Sequence, residues 1–273
     1  MAHGTPILLV GCGKMGGAML AGWRDRGIAP DQVVAVEPSG ELARSVAQQH
    51  GITVVAKADD LPAELRPATL VMAVKPQMMD EAIGAYVRHA AGGALVLSIA
   101  AGKTIAYFER HLGQGVAVVR SMPNTPAAVG RGITAMAANP HVTPAQRGAA
   151  EDLLAAVGET VWLDDEGLLD AVTAVSGGGP AYVFLLIETL AKAGIAAGLP
   201  EDVAMRLARA TVTGSGELAH RSDEGADQLR KNVTSPGGTT LEALKVLMAD
   251  GGIQPLFDRA IAAATARSRE LAG

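Results

Sequence analysis

The sequence has 273 residues, a net charge of -5 and a pI near 5.7, and 49% of its residues are hydrophobic. A chain of this length is expected to form two domains with a sizeable core. The negative charge and the lack of a Lys/Arg-rich block argue against a nucleic-acid surface, so the expected partner is a small molecule. The single cysteine, Cys12, excludes an internal disulfide, and no Cys/His cluster has metal-ligand spacing, so no metal is expected.

The apolar run at residues 7–10 leads into Gly-Cys-Gly-Lys-Met-Gly at residues 11–16. This G-x-G-x-x-G pattern lies between a predicted strand and a predicted helix, as the dinucleotide-binding fingerprint requires. A second predicted strand, residues 33–36, ends in Glu37 about 20 residues later, where a carboxylate would accept a hydrogen bond from a ribose 2′-OH. A glycine-rich turn without a ligand is the alternative, which this context disfavours. The predicted dinucleotide-binding residues here are Gly11, Gly13, Lys14, Met15, Gly16 and Glu37.

From residue 7 to residue 163, short β-branched runs alternate with helical patterns, which is typical of a mostly parallel sheet with βαβ connections. The further predicted strands are residues 69–72, 95–97, 116–119, 133–137 and 160–163. In an open sheet, ligands bind beyond the carboxyl ends of the strands. We therefore expect two strand ends to face the dinucleotide, with residues Ala73, Val74, Lys75 and Pro76 in one and Ala100, Ala101 and Gly102 in the other.

Beyond Asp164 the strand pattern stops, and helices are predicted at residues 168–175, 181–197, 201–220, 229–233, 241–248 and 255–271. The polar residues 163–166 mark the predicted boundary between a dinucleotide-binding domain, 1–163, and a helical domain, 164–273. These few Ala-rich helices cannot bury all their apolar faces, so a dimer is expected. The longest uncharged stretch, 171–187, is interrupted by three glycines and a proline, which disfavours a membrane span. A cytoplasmic location is expected.

Residues 233–240 read Val-Thr-Ser-Pro-Gly-Gly-Thr-Thr and precede an amphipathic helix. Hydroxyls and glycines that open a helix leave backbone N–H groups unpaired at the positive end of the helix dipole, which suits a small anion. An ordinary turn followed by a helix N-cap has the same composition. Because the chain also carries the glycine loop, we interpret residues 233–240 as the substrate site.

Six segments, taken in order, resemble those of the pyrroline-5-carboxylate reductase family: residues 11–16, 73–77, 98–102, 120–126, 176–182 and 233–240. They span nearly the whole chain. The resemblance implies an N-terminal Rossmann domain that binds NADH or NADPH, and a helical domain that interleaves with a second copy. It implies a dimer, or in some members a decamer built as a ring of five dimers. The implied reaction is hydride transfer from NAD(P)H to L-1-pyrroline-5-carboxylate, which yields L-proline.

The resemblance also implies the roles of individual residues. It implies that the substrate, a cyclic imino acid, lies at the dimer interface. The loop that holds the substrate carboxylate would contain Ser235, Gly237, Gly238, Thr239 and Thr240. Thr240 would lie near the ring nitrogen, where it donates a proton or positions a water that does, so it is the candidate catalytic residue. None of the six histidines lies in one of these segments, so no catalytic histidine is expected.

Two positions depart from the family pattern. Gly178 stands where the family usually has serine. Many members favour NADPH, but Glu37 would repel a 2′-phosphate, so we expect a preference for NADH. The alternative is that Glu37 turns away and Ser39 or Arg44 binds the phosphate of NADPH. The alternatives are a related imine or β-hydroxyacid oxidoreductase and a non-catalytic dinucleotide-binding protein. The hydroxyacid enzymes place a lysine early on the long helix, whereas the nearest lysine here, Lys192, lies well along it.

Overall fold

The computed structural model describes residues 6–272, which form two compact units. Unit 1 is drawn from Met1–Gly177 and Ala264–Gly273, and unit 2 is Gly178–Ala263. The chain therefore leaves unit 1 after residue 177 and returns to it for its last turns. The predicted domain boundary at residues 163 and 164 falls inside unit 1.

Unit 1 contains one sheet, in which the described strands run in the order β3-β2-β1-β4-β5-β6-β7-β8. Every neighbouring pair is parallel except β6 and β7. The predicted mostly parallel Rossmann-like sheet is thus confirmed. The strands are β1 (Ile7–Val10), β2 (Val33–Val36), β3 (Thr53–Val55), β4 (Thr69–Met72), β5 (Leu95–Ser98), β6 (Val118–Met122), β7 (Gly132–Ala138) and β8 (Gly158–Trp162).

Apolar side chains cover both faces of the sheet, so its central strands are almost continuously hydrophobic. All residues of β1, β4 and β5 are buried. Successive side chains point to opposite faces, so Leu9 joins a cluster around Trp23 while Leu8 joins one around Phe108. These two hydrophobic clusters hold the central strands whose carboxyl ends carry the candidate site.

Helices and short 3₁₀ turns connect the strands of unit 1. The α-helices are α1 (Lys14–Asp25), α2 (Gly40–His50), α3 (Met79–Ala82), α4 (Val87–Ala90), α5 (Ile105–Leu112), α6 (Pro144–Ala155) and α7 (Leu169–Val172). A 3₁₀ turn at Glu166–Leu168 precedes α7, and a π-helical segment at Thr173–Gly177 follows it.

Two features of the sheet differ from the sequence-based expectation. β3 was not predicted, because three residues at the sheet edge are too short for a clear alternation. The strand predicted at 116–119 lies two to three residues later and includes Arg120 and Ser121, both buried. Their polar groups find distant partners: Arg120 pairs with Glu166, and Ser121 donates to the Ser98 carbonyl. A hydrophobic pattern cannot show such pairings.

Unit 2 is helical, as predicted, and its last helix continues into unit 1. Its helices are α8 (Gly179–Ala196), α9 (Glu201–Arg221), α10 (Ala226–Asn232), α11 (Thr239–Leu247) and α12 (Ile253–Ala272). Within one chain, few of its apolar side chains are covered. On α8 alone, Val183, Phe184, Leu185 and Leu186 are all exposed, Phe184 by 60%. Single chains rarely leave so contiguous an apolar surface uncovered.

Candidate active site

The strand register of unit 1 aligns the predicted dinucleotide segments along one edge of the sheet. Val10 pairs with Val36 on one side and with Met72 on the other, and Met72 pairs with Ser98. The next residue of each strand therefore lies at the same level, namely Gly11, Glu37, Ala73 and Ile99. Loops that follow parallel strands at one edge form the crevice in which open α/β sheets bind ligands.

The glycine loop leaves backbone exposed at the N-terminus of α1. Gly11 has φ 93° and donates its N–H to the Val36 carbonyl at 2.9 Å. A Cβ on Gly16 would lie 2.2 Å from the Gly11 carbonyl oxygen, so only glycine fits there. Gly13 is the N-cap of α1 and supplies no capping side chain. Beyond its chain neighbours, no heavy atom lies within 4 Å of a Cβ placed on Gly13.

This open face of Gly13, at the positive end of a 12-residue helix, suits a pyrophosphate. Lys14 is exposed and Met15 is half-buried, both in the first turn. The Cys12 side chain is 3% exposed, so it occupies the core rather than the ligand side. Burial, with a smaller effect of the Glu37 charge, raises the pKa of the Cys12 thiol to about 12.

Glu37 is buried and bound to two backbone amides. Its Oε2 accepts a hydrogen bond from Cys12 N–H at 2.9 Å, and its Oε1 accepts one from Ser39 N–H at 2.9 Å. Its own N–H donates to Val55 in the unpredicted strand β3. A carboxylate oxygen has room for further donors, so a ribose hydroxyl can still bind. The sequence predicted Glu37 as a ribose ligand but not as a brace for the glycine loop.

The loops after β4 and β5 complete this edge. Ala73 donates its N–H to the Val10 carbonyl at 2.8 Å and packs beside Gly16, while Val74 and Pro76 are half-buried and Lys75 is exposed. After β5, Ala100 is buried and Ala101 half-buried. Ala100 N–H donates to the Ser98 hydroxyl at 3.2 Å. The structure thus brings the predicted dinucleotide residues of unit 1 together.

A cluster that the sequence did not predict links α3, which follows the first of these loops, to the second loop and α5. Asp80 Oδ1 accepts hydrogen bonds from Lys103 Nζ at 2.9 Å and from the Tyr107 hydroxyl at 2.6 Å. The Lys103 ammonium also lies 4.3 Å from the centroid of the Tyr107 ring. The hydrogen bond from Tyr107, followed by that from Lys103, lowers the pKa of Asp80. Because Asp80 lies 23 and 27 positions from Lys103 and Tyr107, no local pattern could have shown the cluster.

In unit 2, the predicted substrate segment forms a turn that leads into α11. Gly238 N–H donates to the Ser235 carbonyl at 3.1 Å, and Gly237 between them has φ 68°, which favours glycine. Gly238 is the N-cap of α11 and offers no capping side chain. Thr239 and Thr240 are the first two helical residues and are exposed in the single chain. Their amides lie at the positive end of the helix, as an anion site requires.

Two family models match the chain. One, described as pyrroline-5-carboxylate reductase dimerisation, matches residues 166–271. The other, described as NADP oxidoreductase coenzyme F420-dependent, matches residues 6–102. A pyrroline-5-carboxylate reductase of Pseudomonas aeruginosa is 41% identical over 269 residues, which cover 98% of this chain and 97% of that protein. The chain belongs to the pyrroline-5-carboxylate reductase family. The resemblance predicted from the sequence is therefore confirmed.

Other members of the pyrroline-5-carboxylate reductase family agree in sequence and in fold. The Synechocystis reductase is 41% identical over 267 residues, which cover 96% of this chain and 97% of that protein. The solved structure of the Coxiella burnetii reductase has a TM-score of 0.92 at 33% identity and covers 98% of this chain and 99% of its own. The Plasmodium falciparum reductase, solved with NADP bound, has a TM-score of 0.81 at 28% identity and covers 98% of both chains.

Proposed function

We propose that this chain reduces L-1-pyrroline-5-carboxylate to L-proline with a hydride from a reduced nicotinamide dinucleotide. The observation that carries the proposal is the shared level of Gly11, Glu37, Ala73 and Ile99 at the carboxyl edge of the sheet, in a chain of this family. A bound dihydronicotinamide supplies the hydride to C5 of the imine, and a proton reaches the ring nitrogen. The protein supplies binding, orientation and electrostatics.

The residues of unit 1 fit a dinucleotide. We assign the pyrophosphate to the amides of Gly13, Lys14 and Met15, since Gly13 leaves open space where any other side chain would stand. Glu37 would accept a bond from the adenosine ribose. The backbone of residues 73–76 and 100–101 would then line the course of the cofactor along the strand ends.

In unit 2, we assign the substrate carboxylate to the turn of Ser235, Gly237 and Gly238 and to the first amides of α11. Thr240 lies within that first turn, so its hydroxyl is close to an anion held there. We propose that this hydroxyl hydrogen-bonds the imine nitrogen and donates a proton or positions a water that does. Holding hydride donor and acceptor together contributes about 7 to 11 kcal/mol to lowering a barrier, so a histidine acid–base pair is unnecessary.

We further propose that NADH is preferred over NADPH. Glu37 is fixed by the amides of Cys12 and Ser39, so it cannot turn away without leaving both amides unpaired. A fixed carboxylate at the end of β2 accepts a bond from a 2′-OH and repels a 2′-phosphate.

The chain carries a matched dimerisation region at residues 166–271 and forms a homo-oligomer. One helical stretch of the described residues, Glu166–Ala196, is long and apolar enough to span a membrane, with a mean hydropathy of 1.3 in an 18-residue window that is 6% buried. This stretch lies largely in the dimerisation region, so we propose that a second copy covers it rather than lipid. We propose that the protein is a cytoplasmic dimer. The mass of the assembly in solution distinguishes a dimer from a decamer.

Steady-state kinetics with purified protein test the function. We expect NADH oxidation that depends on pyrroline-5-carboxylate, release of proline, and a higher kcat/KM with NADH than with NADPH. Binding of both dinucleotides without turnover would instead identify a non-catalytic dinucleotide-binding protein. Oxidation of a β-hydroxyacid in place of imine reduction would support the other alternative. That alternative calls for a lysine early on α8, which this chain lacks, since Lys192 lies near the end of that helix.

A further inference from the structure

The loop after β5 is held from two directions by carboxylates of one helical segment. Glu166 opens this segment, and Asp170 follows four residues later in α7. Glu166 contacts the residue that follows the loop, and Asp170 contacts the last turns of α12. All of these residues belong to unit 1.

The first contact fixes the end of the loop. Glu166 Oε1 accepts a hydrogen bond from Ile105 N–H at 2.8 Å, at the first residue of α5. The same oxygen accepts a bond from the Arg120 guanidinium at 2.9 Å. Arg120 is 5% exposed, so the ion pair with this buried guanidinium keeps the Glu166 carboxylate in place. Thr104, the N-cap of α5, accepts a bond from Tyr107 N–H and defines where the loop stops.

The second contact reaches the middle of the loop through the C-terminal helix. The Ser268 hydroxyl donates to Asp170 Oδ1 at 2.7 Å, and Ser268 is 6% exposed. Leu271, three residues later, lies about one turn further along α12. A Cβ on Gly102 would lie 3.1 Å from the Leu271 carbonyl oxygen, so the backbone of α12 packs directly on Gly102.

The Lys103 side chain is anchored on Asp80, but the backbone at the centre of the loop is weakly bonded within the loop itself. Gly102 has φ 74°, and Lys103 N–H reaches the Ala100 carbonyl at a long 3.4 Å. A turn with such a weak internal bond depends on what packs against it. The backbone of Leu271 is in that place, three residues after Ser268, whose hydroxyl donates to Asp170.

We propose that Asp170 and Ser268 are positioning residues for dinucleotide binding. Their hydrogen bond seats the end of α12 against Gly102, which holds Ala100 and Ala101 in the conformation that contacts the cofactor. This inference rests on the proposed function only for the assignment of Ala100 and Ala101 to the cofactor. The substrate turn of unit 2 takes no part in this contact. Loss of the contact should therefore weaken binding of the dinucleotide and not binding of the substrate.

The test compares Ser268→Ala with Ser268→Thr, which keeps the hydroxyl, and with Arg267→Ala. Arg267 is the matched control because it pairs with Glu270 on the exposed side of the same turn. We expect Ser268→Ala to raise the Kd and KM for the reduced dinucleotide about three- to tenfold, the effect of one lost hydrogen bond. The KM for pyrroline-5-carboxylate should stay unchanged, and Ser268→Thr and Arg267→Ala should resemble the wild type.

Hydrogen exchange of the unliganded protein provides a second readout. Peptides covering residues 99–105 should exchange faster in Ser268→Ala than in the wild type. A lower melting temperature with unchanged dinucleotide Kd and unchanged exchange would overturn the inference, because Ser268 would then only stabilise the fold. If Ser268→Ala does not fold, Asp170→Ala replaces it, since it removes the acceptor of the Ser268 hydroxyl.

The two proposals fail separately. A wild type that binds dinucleotide but does not reduce the imine contradicts the proposed function, while dinucleotide titration of the variants still decides the role of Ser268. A wild type that turns over normally, with variants that bind dinucleotide equally well, contradicts the positioning role alone.

Discussion

Glu37 joins the glycine loop to the end of β2 through the amide of Cys12, which donates to Glu37 Oε2 at 2.9 Å. The other carboxylate oxygen accepts from Ser39, so one buried charge fixes two turns. Hydrogen bonds to an ionised acceptor are about twice as strong as neutral ones. The residue expected to discriminate between the cofactors therefore also shapes the loop that binds them.

Replacing Glu37 should alter both cofactor preference and overall affinity. We expect Glu37→Ser to shift the ratio of kcat/KM for NADPH to that for NADH toward NADPH by about tenfold, or about 1.4 kcal/mol, because repulsion of the 2′-phosphate is removed. Affinity for both cofactors should fall, because the Cys12 amide loses its partner. Glu41→Ser, at an exposed carboxylate on α2, is the charge-matched control. An unchanged ratio would show that Glu37 only braces the loop.

Removing the Thr240 hydroxyl should affect chemistry rather than cofactor binding. We expect Thr240→Ala to lower kcat about 100-fold if the hydroxyl takes part in proton transfer to the imine nitrogen. The Kd for the dinucleotide should stay at its wild-type value. Thr240→Ser keeps the hydroxyl and should retain most of the activity. A wild-type kcat in Thr240→Ala would remove the residue from the mechanism.

The Cys12 thiol should be inert in the folded protein. Its pKa of about 12 leaves almost no thiolate at pH 8, and its side chain is 3% exposed. We expect no reaction with a thiol-specific disulfide reagent under native conditions and release of one equivalent in guanidinium chloride. Rapid labelling of the native protein would mean that the glycine loop opens on the timescale of the reaction.

The sequence predicted those parts of the site that depend on local pattern. Gly11, Gly13 and Gly16 follow a buried strand and open a helix, and both requirements are visible in adjacent residues. The alternation of short strands and helices likewise predicted that Ala73 and Ala100 lie just beyond the carboxyl ends of two strands. The helical character of the second half followed from its apolar periodicity.

Contacts between distant residues could not be predicted in this way. Ser268 and Asp170 are 98 positions apart, and Arg120 and Glu166 are 46 apart. Each pair places a polar group in a mostly buried position, where a single sequence gives no sign of the partner. The strand at Thr53–Val55 was missed for another reason, since three residues at an edge carry too little pattern.

The exposed apolar surface of α8 should be an interface between copies. Phe184 is 60% exposed in the single chain and lies in the matched dimerisation region. We expect Phe184→Asp to shift the protein toward monomer in light scattering coupled to size-exclusion chromatography, because an unpaired carboxylate is costly to bury. Val87→Asp makes the same kind of change on α4 of unit 1, where Val87 is 40% exposed, and should leave the mass unchanged. An unchanged mass in Phe184→Asp would place the interface on another face.

The stability of the fold should depend on pH through His89. Its side chain is 1% exposed, and within the described part of the chain neither ring nitrogen has a hydrogen-bond partner. Burial lowers the pKa of His89 below its usual 6.5, and the positive charges of Arg88 and Arg66 lower it further. The unfolded chain therefore binds a proton below pH 6.5 that the folded chain excludes, so the free energy of unfolding falls as the pH falls, until the folded pKa is reached.

His89→Phe removes this proton uptake and the unpaired ring nitrogens while keeping an aromatic ring. We expect the variant to unfold at higher denaturant concentration than the wild type, with a difference that grows below pH 6.5 by at most about 1.4 kcal/mol per pH unit. His50, whose pKa burial also lowers, leaves a residual dependence of the same sign. His141→Phe, at an exposed position, is the control. A difference between His89→Phe and the wild type that stays constant from pH 8 to about pH 5 would show that His89 does not exclude its proton in the fold.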